Sequence, residues 1–223
     1  MRKILLMLVL SVFGALLNIA INRFALYSGI PLYMDTILTI SITLAFGLVW
    51  GAFCGTLTNV ISHTIWGWSW GGYLYALCNI ATAFITWIFC RYFQRELLEK
   101  TPDVLIQPAQ KSSKLSKIMD KVIILLLLSF SLCLAMSILG GLITAFILRF
   151  NPSNSEEVII SALLSATMFD QNAPTIIKEI ISRIPVNIID RSISAFAGYG
   201  ISLLIYRFFK TSVFEKSTLE KKK

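Results

Sequence analysis

The strongest constraint on this chain is the scarcity of charge between its clusters of basic residues. Of its 223 residues, 56% are hydrophobic and only 14% are charged. A soluble domain carries about a quarter charged residues, so the composition is that of an integral membrane protein. The net charge of +8 is unevenly placed: 15 of the 20 Lys and Arg residues fall in three groups. These are Arg2–Lys3, the central stretch from Arg91 to Lys121, and the C-terminal stretch from Arg207 to Lys223. Such clustering follows the positive-inside rule and places both termini and the centre on the cytoplasmic side. Basic residues interleaved with stacking aromatics are absent, which excludes a nucleic-acid groove.

Between these clusters six apolar segments are predicted: 4–22, 36–50, 52–65, 73–90, 122–148 and 192–208. The first continues to Ile21 with no small-x-small cleavage site, and reads as a retained helix rather than a signal peptide. The second and third are short, with a tight turn expected at Gly51. Residues 91–121 read as a cytoplasmic linker. Residues 151–190 read as an outer region. There Ser153 to Glu156 resembles a capping box before an apolar helix at 158–169, and residues 175–184 are amphipathic. The expectation is a single all-α domain, a six-helix transmembrane bundle with an outer-surface helical hairpin.

Several residues stand out against this apolar background. Asp35 lies between two apolar runs, where a carboxylate is costly unless it meets protein, water or ligand. It could equally cap the following helix with Thr36. Gly55, Asn59 and His63 are spaced four apart and form a polar helix face, either a cavity wall or an interhelical hydrogen-bonding seam. Trp66, Trp68 and Trp70 with Tyr73 and Tyr75 form an interfacial aromatic belt or an aromatic box. Tyr75 and Asn79 again stand four apart. Asp190–Arg191 read as a cap or ion pair at the start of the last span. The small pairs Ser11/Ala15, Ser137/Gly141 and Ser194/Gly198 suit close helix packing. Cys54, Cys78, Cys90 and Cys133 lie in apolar segments without metal-ligand spacing, and neither a metal nor a cofactor is expected. No phosphate loop, HExxH zinc helix or GxSxG nucleophile elbow occurs, so no enzyme is expected. The spans hold almost no charge, which argues against an ion-coupled carrier.

The segments Gly29-Ile-Pro-Leu-Tyr-Met-Asp-Thr36, Gly47-Leu-Val-Trp-Gly-Ala52 with Gly55 and Asn59, and Asp190-Arg-Ser-Ile-Ser194 carry a family resemblance. In them the chain resembles the substrate-binding (S) component of energy-coupling-factor (ECF) transporters, the vitamin-uptake ABC systems of prokaryotes. The resemblance is best over the first ninety residues and fair over the last helix. It implies a six-helix bundle in the cytoplasmic membrane with an outward site beneath the loop between helices one and two. It also implies partners, a transmembrane coupling subunit and two ABC ATPases. Docking in that family uses small residues four apart on helix one, for which Ser11 and Ala15 are the nearest match here. On this reading Asp35, Asn59, His63, Trp66, Tyr75 and Asn79 bind a vitamin-like molecule, and Gly29, Pro31 and Tyr33 belong to the lid. The other reading is a ligand-sensing membrane module of a signalling system.

Overall fold

The computed structural model describes residues 2–66, 70–93, 97, 114–150 and 174–209. Among these residues there are helices and no strands. The order is α1 (Arg2–Tyr27), α2 (Ile37–Phe46), α3 (Leu48–Trp66), a 3₁₀ turn (Trp70–Tyr75), α4 (Ala76–Tyr92), α5 (Lys114–Phe150) and α6 (Thr175–Phe209). Four stretches, Lys3–Tyr27, Gly71–Tyr92, Leu115–Phe150 and Ile176–Phe208, are long and apolar enough to cross a membrane. The outside is apolar: Leu5, Val9 and Phe13 on α1, and Leu126, Phe130 and Leu134 on α5, are exposed. The inside holds Asn18, Asn79, Asn187, Asp190 and Arg191, all buried. A water-soluble fold would bury the first set and expose most of the second.

The centre of the molecule is α2. It carries no charge, and its apolar side chains lie all round it, so it belongs inside a core. All ten of its residues are buried, and it packs against α1, α3, α4 and α6. At about 15 Å it spans only half the hydrocarbon thickness of a bilayer. Its hydroxyls are satisfied locally: Ser41 donates to the carbonyls of Ile37 and Gly198, each at 2.9 Å, and Thr43 donates to the Thr39 carbonyl at 2.7 Å.

The expected turn at Gly51 is at Gly47 instead. Gly47 has φ 93° and ψ −179°, a conformation essentially reserved for glycine, and it separates α2 from α3. Gly51 lies within α3, where an added Cβ would run into the Thr43 side chain of α2. One turn on, a Cβ on Gly55 would come within 2.8 Å of Asn79 Cβ and 3.1 Å of Thr39 Cγ2. The glycines therefore form the groove that admits α2 and α4, and do not interrupt the helix.

The end of the chain also differs from expectation. Residues 175–190 are the first half of α6, continuous through Pro185 with the segment expected at 192–208. They pack along α5: an added Cβ on Gly141 would lie 2.9 Å from the Ile180 backbone, and Asn187 Nδ2 donates to Ser137 Oγ at 2.9 Å. So 175–184 is not an arm of a surface hairpin; residues 158–169 lie outside those described. This extension brings Glu179, Arg183, Asp190 and Arg191 into the bundle as buried residues, overturning the expectation of nearly uncharged helices. Residues 175–184 are amphipathic as expected, but their polar face turns inward, where Arg183 reaches Thr144 of α5 and Tyr33 of the loop after α1.

Ser11 and Ala15 are both completely buried. Ala15 packs with Ile37, Leu38 and Ile42 of α2, and the Ser11 hydroxyl donates to the Met7 carbonyl at 2.7 Å. Their small size admits α2, so they do not form an outer docking face.

Candidate functional site

Hydrogen bonds from α1 hold the loop between α1 and α2. Asn18 Oδ1 accepts the Leu38 N–H at 2.9 Å, satisfying a donor in the first turn of α2 that has no intrahelical partner. Asn18 Nδ2 lies 3.2 Å from Thr39 Oγ1 and 3.3 Å from Thr58 Oγ1. Asn22 Nδ2 donates to the Tyr33 carbonyl at 2.6 Å. The loop then passes Met34, whose φ of 48° is left-handed. This is an uncommon conformation for a residue with a side chain, and the Met34 N–H is held by Asp190 Oδ1 at 2.7 Å.

Asp190 and Arg191 sit in the middle of α6 and cap nothing. Arg191 lies at the junction of loop and helix. Its Nη2 is 3.0 Å from Asp190 Oδ2 and 3.6 Å from Asp35 Oδ1, and its Nη1 donates to Thr36 Oγ1 at 2.6 Å. Thr36 is the N-cap residue of α2 but makes no side-chain cap. Asp35 instead accepts from Asn79 Nδ2 of α4 at 3.2 Å. The carboxylate thus ties the loop to α4 and α6.

A second cluster lies along the same face of α6. Arg183 donates to the hydroxyls of Tyr33 (3.3 Å), Tyr75 (3.4 Å) and Thr144. Tyr75 and Thr144 are joined at 2.6 Å. Thr144 donates to the Gly140 carbonyl at 3.0 Å, so the Tyr75 hydroxyl is the donor to Thr144. The Arg183 guanidinium carbon also lies 5.7 Å from the Tyr75 ring centre.

These clusters border a cavity of about 40 Å³, lined by Tyr33, Asp35, Asn59, Tyr75, Cys78, Met136, Gly140, Arg183, Asn187 and Arg191. A water needs about 10–15 Å³ by this measure, so the space suits roughly three waters or one small polar group. Asp35, Asn59, Tyr75 and Tyr33, all expected from the sequence, line it, and Asn79 stands behind Asp35. His63 and Trp66 do not line it. His63 packs over Gly72 and lies 6.0 Å from the Tyr73 ring, while Trp66 carries the Arg23 guanidinium over its ring at 4.5 Å. Gly29 and Pro31 are exposed and also lie outside the lining. Trp68 is outside the described residues, as is the side chain of Trp70.

Sequence reasoning missed Arg183 and Asn187 as lining residues and assigned Arg191 only a capping or pairing role. The three are spaced four apart, the same signal that marked Gly55, Asn59 and His63. It was hidden because 175–190 was read as lying on the outer surface. Comparison with protein-family models, curated proteins and solved structures returned no match. The resemblance to ECF S components rests on the quoted motifs alone.

Proposed function

We propose that the protein is a substrate-capture subunit of an ECF-type importer. All six helices would be held in a prokaryotic cytoplasmic membrane, with both termini and the central linker in the cytoplasm. The observation that carries this reading is the polar cavity inside an apolar exterior, lined by Tyr33 and Asp35 of the α1–α2 loop and by residues of α3 to α6. A bundle needing only stability has little use for such a cluster, because apolar packing often serves as well as or better than buried ion pairs. Arg191 is shared by two carboxylates, a locked arrangement rather than an open proton relay. Energy would then come from partners, a coupling subunit with two ABC ATPases. Pockets for drug-sized ligands hold about 300–1,000 Å³, so this is a closed state. Entry of a vitamin-like molecule would displace Tyr33 and the rest of the loop.

Native mass spectrometry of the tagged protein from its own membranes tests the reading. Two ATPases and a coupling subunit, or a retained small molecule together with them, is the expected result. A kinase or cyclase in their place would make the bundle a ligand sensor instead.

A further inference from the structure

The longest helix outruns the membrane it crosses. Leu115, Met119, Val122, Leu126, Phe130 and Leu134 of α5 are exposed. Each stands three or four residues from the last, so they form one unbroken apolar stripe, and exposed apolar side chains continue to Phe150. From Leu115 to Phe150 the helix rises about 52 Å. The hydrocarbon of a bilayer is about 30 Å thick, and about 40–45 Å with its head groups. Even a tilt of about 40°, the top of the usual range, leaves about 40 Å of apolar stripe across the bilayer. One end of the stripe therefore lies at the level of the lipid head groups.

The start of α5 is suited to that level. Lys117 is exposed and Lys121 half-buried, four apart on the same side of the stripe. Leu115, Ile118 and Met119 are all more than half exposed. Leu97, which follows α4, is buried with Ile124 and Leu125 of α5 and Tyr199 of α6, so the ends of α4 and α6 lie beside the start of α5. There Arg91, Tyr92, Arg207 and Phe208 are exposed as well. Asp120 is the one carboxylate among the described residues at this end. The last two turns of α5 hold a single cation, Arg149. We propose that the first two turns of α5 are a binding surface for anionic phospholipids. Lys117 and Lys121 meet the lipid phosphates, and Leu115, Ile118 and Met119 rest among the upper acyl chains, as in an amphipathic helix at a membrane interface. The stripe is continuous with the exposed apolar side chains of the span itself, which makes lipid its occupant rather than a second protein.

The full chain in detergent is mixed with equal amounts of phosphatidylglycerol and phosphatidylcholine of the same acyl chains, and the retained lipids are counted by native mass spectrometry. Phosphatidylglycerol is expected in excess. Lys117→Gln with Lys121→Gln should cut that excess by about fivefold or more, from the usual contribution of a lysine near an anionic surface. Lys117→Arg with Lys121→Arg should keep it, and Arg149→Gln with Lys178→Gln, at the opposite end of α5 and α6, should leave it unchanged. A fluorophore on Met119→Cys in phosphatidylglycerol vesicles should be quenched by brominated acyl chains and not by acrylamide in the water. Equal retention of the two lipids by the wild-type protein, or an excess that survives the glutamine pair, would overturn the proposal. Quenching by acrylamide alone would overturn it too, and would leave the stripe to a protein partner.

Discussion

At the scale of single residues, the network around Arg191 has unequal parts. Asp190 is fully buried and Arg191 nearly so, and removing one partner of a buried pair commonly costs about 3–5 kcal/mol because a bare charge is left behind. Arg191→Met should therefore lower the stability of the detergent-solubilised bundle by about that much in an SDS-titrated unfolding experiment. Adding Asp190→Asn to the same chain should recover part of the loss, because it removes one of the two stranded carboxylates. His63→Ala makes a contrasting prediction. His63 packs against Gly72 and Tyr73 and does not line the cavity, so a small molecule retained by the wild-type protein in native mass spectrometry should be retained equally by the variant. Sequence reasoning could see that Asp35 and His63 were unusual in an apolar setting. It could not tell them apart, because the difference lies in which way α3 and the 3₁₀ turn present their faces, a property of tertiary packing.

At the scale of elements, the position of α2 depends on small side chains in its neighbours. An added Cβ at Gly51 collides with Thr43, and overpacking a close contact costs about 1–3 kcal/mol. Gly51→Ala should lower unfolding stability by that amount, and Thr43→Ala in the same chain should restore only part, since the Thr43 Cβ itself would remain 2.8 Å from the new methyl group. Gly47→Ala should cost about as much for a different reason, strain in a backbone conformation that only glycine adopts readily, and Thr43→Ala should not rescue it. The two glycines explain why the sequence located the break between helices only to within a turn. Both interrupt the apolar pattern equally, and only the backbone angles distinguish the hinge from the groove. The extent of the last helix escapes the sequence for a related reason. Pro185 and the polar residues from Glu179 to Arg191 resemble a boundary when α6 is taken to face lipid on all sides. They cease to do so once α5 and the α1–α2 loop supply partners, because buried partners re-satisfy the groups that proline and charge would expose.

At the scale of the whole molecule, the network sits at depth, not at an edge. Arg191 lies close to the midpoint of α6, which runs from Thr175 to Phe209, so about 25 Å of helix extends on each side of it. Asn18, which holds the Leu38 N–H, stands nine residues before the Tyr27 end of α1, or about 14 Å along the helix axis. The chain leaving α1 must therefore turn back down into the bundle before α2 begins. Residues 28–36, which read from sequence as a membrane-edge loop, have a re-entrant inner part, tolerable because Asn22, Asp190 and Arg191 bind its polar groups. The apolar exterior was legible from composition, but this depth was not, since hydropathy marks where a segment is apolar and not what encloses it. The geometry predicts a graded accessibility along the loop. In oriented membranes, Gly29→Cys should react readily with a bulky impermeant maleimide, because Gly29 is exposed with open space around it. Tyr33→Cys should react only with a reagent as small as methyl methanethiosulfonate, and Thr39→Cys, at a fully buried position of α2, with neither. Equal labelling at residues 29 and 33 would place the loop at the surface and remove the basis for a buried site. The graded result would place the outer part of the loop at the surface and the polar groups around Arg191 in the middle of the bundle.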